Sequence, residues 1–126
     1  AATIYMSLVG PQGLFNVASA SHNNTQMLVD KLSKVAGVKK VFNSPFFHEA
    51  VFEFELPVAE VQRALSAQSI VAGVSLDEYY PELNNCLLMC ATETKSEADI
   101  DLLVDNISRI AAWLDSSKCP VQPKMA

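Results

Sequence analysis

The stretch GVSLDEYYPELNNCLLMCAT, residues 73–92, joins the most polar and aromatic loop of the chain to its most continuously apolar segment. Residues 77–82 place two tyrosines, three carboxylates and a proline in six positions. Residues 86–91 are all apolar and too short for a stable helix, which predicts a central strand covered on both faces. The loop before this strand is then free to be presented to a partner.

Three further short segments have the pattern of strands, at residues 38–42, 48–56 and 69–74. The second alternates most clearly, with Phe52, Phe54 and Leu56 on one face and glutamates on the other, as a sheet solvated on one side requires. In the first strand we expect Lys39 and Lys40 to point outward.

Helices are predicted around these strands. One begins at Pro57 and runs to residue 68, and the last begins at Ser96, an N-cap with Asp99 three residues on. The last helix carries a complete apolar stripe, made of Ile100, Leu103, Val104, Ile107, Ile110, Ala111 and Leu114. The order of elements predicts an α+β fold, with an antiparallel three- or four-stranded sheet and helices on one face.

The first 35 residues are predicted to be helical, with a break at Gly10 and Pro11. The middle of the second helical segment, residues 19–26, is polar all round, so it is either a solvated face or part of a helix that bridges two domains. We predict that residues 1–12 end a helix of a larger domain, that residues 13–115 form a small α+β domain, and that residues 116–126 form a frayed tail.

Composition limits the function classes. The chain has 126 residues and a net charge of −5, which argues against nucleic-acid and anionic-membrane partners, since these need a basic surface. Three cysteines without disulfide or zinc spacing favour a reducing compartment, hence the cytoplasm. Cys86 and Cys90 are predicted to be buried free thiols; the role of Cys119 stays open.

No catalytic, cofactor-binding or metal site is predicted within the chain. His48 and Glu49 are adjacent on a strand, so their side chains point to opposite faces, and His48 is expected to make an ordinary structural hydrogen bond. The sequence contains neither a GxSxG elbow nor a glycine-rich phosphate loop. None of the lysines lies among the His, Ser or Thr residues that accompany a cofactor lysine.

Four segments carry a resemblance to a known family: YMSLVGPQGL at 5–14, SPFFHEAVFEF at 44–54, residues 73–96, and DIDLLVDNI at 99–107. In this order they resemble the carboxyl-terminal part of glycine dehydrogenase (decarboxylating), the glycine cleavage system P-protein. Within that family, they are most similar to subunit 1, the alpha subunit, of the two-subunit bacterial form. Ala50 departs from the family pattern, in which phenylalanine commonly follows the Asn-Glu or His-Glu pair.

The resemblance implies the small domain of a fold type I pyridoxal-phosphate enzyme. It implies a complex with subunit 2 that decarboxylates glycine and passes the aminomethyl group to lipoylated H-protein, with the cofactor lysine outside this chain. Near-site or interface candidates are then His48, Glu49, Tyr79, Tyr80 and Glu82. One rival interpretation is an autonomous ferredoxin-like module with a small-molecule-binding or regulatory role. Another is a plain protein-interaction domain.

Overall fold

The computed structural model describes residues 1–117, and of residues 114–117 it describes the backbone alone. In this part of the chain the order is helix, two strands, helix, two strands, helix, as the sequence predicts. The elements are α1 Ala2–Leu32, β1 Val38–Lys40, β2 Glu49–Phe54, α2 Val58–Ser66, β3 Val74–Ser75, β4 Cys86–Cys90 and α3 Glu97–Ser117, with a short 3-10 helix Pro81–Leu83 before β4.

The strands form one antiparallel sheet in the order β1-β2-β4-β3. Residues that lie opposite each other in neighbouring strands share a face of the sheet. The register pairs Phe52 of β2 with Leu87 of β4, and Ala50 with Met89, and all four side chains are buried. The alternation of β2 therefore identifies the inner face of the sheet correctly.

The helices cover this inner face. α1 contacts β1 and β2, and α3 packs against both α1 and α2. Leu28 and Leu32 of α1, Val61 and Leu65 of α2, and Ile107 of α3 are at most 2% exposed and form one core with the inner strand residues. Burying each such side chain stabilises the fold by about 1.5–3 kcal/mol. The predicted α+β class, with an antiparallel sheet and helices on one face, is confirmed.

α1 consists of two helical segments joined by a kink at Gly10, as the sequence predicts. Gly10 has φ of 64°, in the left-handed region that glycine adopts without steric cost, and Pro11 follows with a φ suited to a first helical turn. Before the kink, Ile4, Tyr5 and Leu8 are between 47% and 81% exposed. Among residues 1–117, no helix has the length and apolarity needed to cross a membrane.

All four predicted strands are longer than the observed ones, β2 by three residues and β4 by one. β1 ends two residues early, at Lys40, and β3 is Val74–Ser75 rather than residues 69–74. Ser69 has φ of 59°, a left-handed conformation that closes α2 and has no place in a strand. The strand can begin only after the chain has turned back toward β4.

Lys40 faces the helices, so the prediction that it points outward was wrong. Lys40 lies opposite Phe52 in the register, on the inner face, and its Nζ is 4.5 Å from the centre of the Phe46 ring. Lys39 is exposed as predicted. Successive strand residues alternate between faces, so two adjacent lysines could not both point outward.

The first turn of α3 is capped as predicted. The Ser96 hydroxyl accepts a hydrogen bond from the Asp99 N–H, and Asp99 Oδ2 accepts from the Ser96 N–H at 2.8 Å. The Ser96 hydroxyl and N–H both lower the pKa of the Asp99 carboxyl, the hydroxyl more. α3 continues to Ser117, beyond the predicted start of a frayed tail at residue 116. The remainder of that predicted tail, with Cys119, lies outside the described residues, as does the Leu114 side chain.

Candidate functional site

The polar middle of α1 holds two loops of the domain at one end of the sheet. Thr25 is fully buried, and its hydroxyl accepts a hydrogen bond of 3.2 Å from the N–H of Ala91. The same hydroxyl lies 3.1 Å from the carbonyl oxygens of His48 and of Ala91, and its single hydrogen serves one of them at a time. Thr25 therefore ties both the start of β2 and the end of β4 to α1.

Ser21 and Asn24 extend these contacts along the loop between β4 and α3. Ser21 Oγ accepts from the N–H of Glu93 at 3.1 Å and donates to its carboxylate at 3.2 Å. The Asn24 amide donates to the carbonyl oxygens of Thr92 and Lys95, at 2.9 and 2.8 Å. The polar middle is therefore not simply a solvated face, and its buried hydroxyls need no second domain to explain them.

The sequence carries a signal for this contact that a search for apolar side chains misses. Ser21, Thr25, Leu28 and Leu32 are spaced by four, three and four residues, so they lie on one face of α1. All four are buried. Small hydroxyl side chains thus continue an apolar stripe where backbone groups of another element are available as partners.

His48 lies at the start of β2, within a group of rings. Nδ1 of His22 donates to the carbonyl oxygen of Phe47 at 2.8 Å, and the two rings stack with centroids 6.3 Å apart. The Phe47 ring meets the His48 ring edge-on at 4.7 Å. Nδ1 of His48 is buried without a hydrogen-bond partner among the described residues, so the structural hydrogen bond expected of this side chain is not made at Nδ1. The hydrogen bond with Thr25 is made by the backbone carbonyl of His48.

Glu49 begins β2 with its side chain exposed, opposite Cys90 on the outer face of the sheet. The outer face also carries Val51 and Leu88, which pair with each other and are half-buried. At this end of the sheet, the outer face therefore presents a carboxylate, a thiol and aliphatic side chains.

The acidic and aromatic loop has a fixed backbone and projecting side chains. The carbonyl oxygen of Leu76 accepts hydrogen bonds from the N–H groups of Tyr79 and Tyr80, at 3.1 and 2.7 Å. The two rings are 68% and 52% exposed, and Glu82, in the 3-10 helix, is exposed as well. An ordered loop that shows two aromatic rings to water is a surface suited to a partner.

The length of β4 separates the predicted candidates into two groups. Glu49 lies opposite Cys90, the last residue of β4, whereas the tyrosine loop leads into Cys86, its first residue. The four steps between these positions span about 13 Å at ~3.3 Å per residue. One group is His48 and Glu49; the other is Tyr79, Tyr80 and Glu82.

The two cysteines of β4 differ in environment. Cys86 is 3% exposed; its burial, and secondarily the Glu53 carboxylate, raise the pKa of its thiol, which leaves little reactive thiolate at neutral pH. Cys90 is exposed, so the prediction that both thiols are buried was wrong for Cys90. The prediction that both faces of β4 are covered is also wrong at Cys90, because this residue lies on the outer face and the helices pack on the inner face.

Of the five described lysines, four are ion-paired or exposed, and the fifth, Lys40, contacts the Phe46 ring. Lys31 pairs with Glu97 at 3.0 Å and with Asp101, and these carboxylates, Asp101 first, raise the pKa of its ammonium group. A lysine that forms a Schiff base needs a lowered pKa instead, because the neutral amine is the reactive form. Lys34, Lys39 and Lys95 are exposed. Among residues 1–117, no group of three His, Cys, Asp or Glu side chains is placed to hold a metal ion.

Two solved structures share this architecture. The crystal structure of glycine decarboxylase (P-protein) of the glycine cleavage system, in inhibitor-bound form, matches 85% of this chain and 24% of its own, with a TM-score of 0.77 and 28% identity. The aminotransferase TlmJ from Streptoalloteichus hindustanus matches 78% of this chain and 32% of its own, with a TM-score of 0.58 and 13% identity, which shows the fold alone. The class is thus a small α+β domain that occurs within longer proteins.

Sequence comparison identifies the family. Residues 1–107 match the family model of the glycine cleavage system P-protein. Proteins named probable glycine dehydrogenase (decarboxylating) subunit 1 are 55% identical in Nitrosomonas europaea, over 80% of this chain and 22% of the relative, and 49% identical in Nitrosospira multiformis, over 87% and 24%. The chain belongs to the glycine cleavage system P-protein family, and the resemblance predicted from its sequence is confirmed. It spans about a quarter of the length of these relatives.

Proposed function

We propose that the chain is the small carboxyl-terminal domain of subunit 1 in a two-subunit P-protein, whose complex decarboxylates glycine and transfers the aminomethyl group to lipoylated H-protein. The strongest support is the family match over residues 1–107, together with 55% identity to a protein named as subunit 1. The autonomous ferredoxin-like module has no comparable observation in its favour. The complex is proposed to act in the cytoplasm.

The cofactor of this complex is proposed to bind through a lysine outside this chain. Pyridoxal phosphate supplies the electron sink for the decarboxylation when it is bound. The ion pairs of Lys31, the exposed positions of Lys34, Lys39 and Lys95, and the contact of Lys40 with the Phe46 ring support this assignment. The isolated chain is therefore expected to be inactive. Its proposed contribution to the complex is to position and cover the cofactor that is bound outside this chain.

Residues 1–12 are proposed to end a helix of the larger domain, and residues 13–115 to form the small domain. Exposed Ile4 and Leu8 before the kink support this division, since a larger body would cover them. Tyr79, Tyr80 and Glu82 are proposed to contact that body at one end of the sheet. His48 and Glu49 are proposed to make a second contact at the other end.

Replacing Tyr79 and Tyr80 together by alanine in subunit 1 is expected to lower the glycine decarboxylation rate of the assembled complex about tenfold, since loss of interface aromatic rings costs on the order of 1 kcal/mol or more. The measurement is glycine-carboxyl exchange with bicarbonate in the presence of subunit 2 and H-protein. The double Tyr→Phe variant should keep most of the activity, because the rings remain.

Phe42→Ala is the matched control, because Phe42 is an exposed aromatic residue outside the loop, 51% exposed. It should leave the exchange rate within about twofold of the unmodified protein, as surface substitutions usually do. Equal losses in the Phe42 and tyrosine variants would show that the loop is ordinary surface.

A further inference from the structure

Both arginines of the chain, Arg63 and Arg109, lie in one groove of the helix layer. The groove runs between α2 and α3 and has a volume of about 710 Å³. It contains none of the five residues proposed to contact the larger body. Its walls include Arg63, Ala64, Ala67, Arg109, Ile110 and Trp113.

The two guanidinium groups are exposed, and neither pairs with a carboxylate within the described part of the chain, where both ion pairs belong to Lys31. Glu60 is the one carboxylate among the described lining residues. The whole chain carries a net charge of −5, so a groove with two arginines departs from the rest of the surface. It offers positive charge to a negatively charged group.

The lining also contains apolar side chains, beside the polar Gln68 and Asn106. Ala64 and Ala67 leave room for a side chain from outside, and Ile110 and Trp113 supply aliphatic and aromatic surface, with Trp113 66% exposed. Tryptophan and arginine are among the residue types enriched at the energetically important centre of protein interfaces. This combination favours a protein partner over a small anion.

We propose that the α2–α3 groove binds an acidic segment of a partner protein, with one carboxylate for each arginine and an apolar side chain between them. A guanidinium group holds a carboxylate through two parallel hydrogen bonds, which fixes the position of the segment. Nucleic acid is the weaker candidate, because two arginines neutralise few phosphates and the acidic remainder of the chain repels the others.

The test measures binding of a fluorescein-labelled synthetic 12-residue peptide, with two glutamates on each side of a central Leu-Leu, to the 126-residue chain by fluorescence anisotropy. We expect a Kd of roughly 10–100 µM at low salt, which weakens as salt screens the charges. Arg63→Gln combined with Arg109→Gln should weaken binding at least tenfold. The same peptide with glutamine for glutamate should bind no better than that variant.

Lys34→Gln combined with Lys39→Gln is the matched control, since it removes two exposed charges outside the groove. It should bind the peptide within about twofold of the unmodified chain, and far-UV circular dichroism and a thermal melt check that both variants are folded. The proposal is overturned by equal losses in the two double variants, by no binding of the glutamate peptide, or by tighter binding of a 12-nucleotide single strand. It is also overturned if sedimentation shows a dimer that only the arginine variant dissociates, because the occupant is then a second copy of the chain.

Discussion

Gly73→Ala is expected to lower the free energy of unfolding by at least about 3 kcal/mol, a loss typical of severe overpacking. A Cβ at this position would lie 2.3 Å from the carbonyl oxygen of Leu88 and 3.0 Å from Cγ of Met89. The oxygen belongs to the backbone of β4 and cannot rotate away as a side chain could. The variant must therefore move β3 away from β4, and a urea titration should show a lower midpoint.

Gly10→Ala gives the comparison for this prediction. Gly10 has a positive φ, but a Cβ there would have no neighbour within 4 Å. Its cost is limited to the backbone conformation, φ 64° and ψ −178°, a region essentially restricted to glycine, and is on the order of 1–3 kcal/mol. If Gly73→Ala costs no more than Gly10→Ala, then β3 does not approach β4 as closely as the structure shows.

Thr25→Val is the second substitution for which we expect a large effect. Valine has a similar shape but no hydroxyl, so the N–H of Ala91 loses the acceptor that lies 3.2 Å away. The carbonyl oxygens of His48 and Ala91 lose the donor that they share. A buried polar group left without a partner costs about 1–3 kcal/mol, and we expect a total loss of about 3 kcal/mol. Urea denaturation measures the loss, and hydrogen exchange at Ala91 should become faster.

Thr25→Ser separates the hydroxyl from the methyl group. Serine keeps the oxygen that Ala91 needs and removes one buried methyl, at a cost of about 1 kcal/mol. Ala91 should therefore stay protected from hydrogen exchange in this variant. Equal destabilisation by valine and serine would mean that packing, and not the hydrogen bonds to β2 and β4, makes Thr25 important.

Much of the fold could be predicted because local patterns and tertiary packing agree. In β2, alternation alone separates buried Phe52 from exposed Glu53, and in α3 the Ser96 cap and the apolar stripe indicate the same helix. The kink at Gly10 follows from glycine and proline in succession. In each case the signal lies within a few residues of sequence.

The errors arose where the answer depends on a partner element. The direction of Lys40 is set by its register with β2, and the exposure of Cys90 by the absence of a helix over that end of the outer face among the described residues. The burial of Thr25 depends on carbonyl and N–H groups 23 and 66 residues further along the chain. Contacts between residues so far apart are only weakly indicated by the local pattern of apolar and polar residues.

The candidate site could be predicted only in part for the same reason. His48 and Tyr79 belong to segments that carry the family resemblance, but the resemblance does not say how far apart they lie. The antiparallel pairing of β2 with β4 places one segment at each end of the sheet. The proposed contacts with a larger body are therefore two, one at each end of the sheet, rather than one shared pocket.

Borohydride reduction of the assembled subunits 1 and 2, loaded with pyridoxal phosphate, tests the central claim most directly. Reduction fixes the Schiff base, and peptide mapping by mass spectrometry then identifies the labelled lysine. We predict one stoichiometric phosphopyridoxyl-lysine outside these 126 residues. A stoichiometric label on any lysine between residues 1 and 126, or an active complex without any label, would contradict the assignment of this chain as a domain that positions and covers a cofactor bound elsewhere.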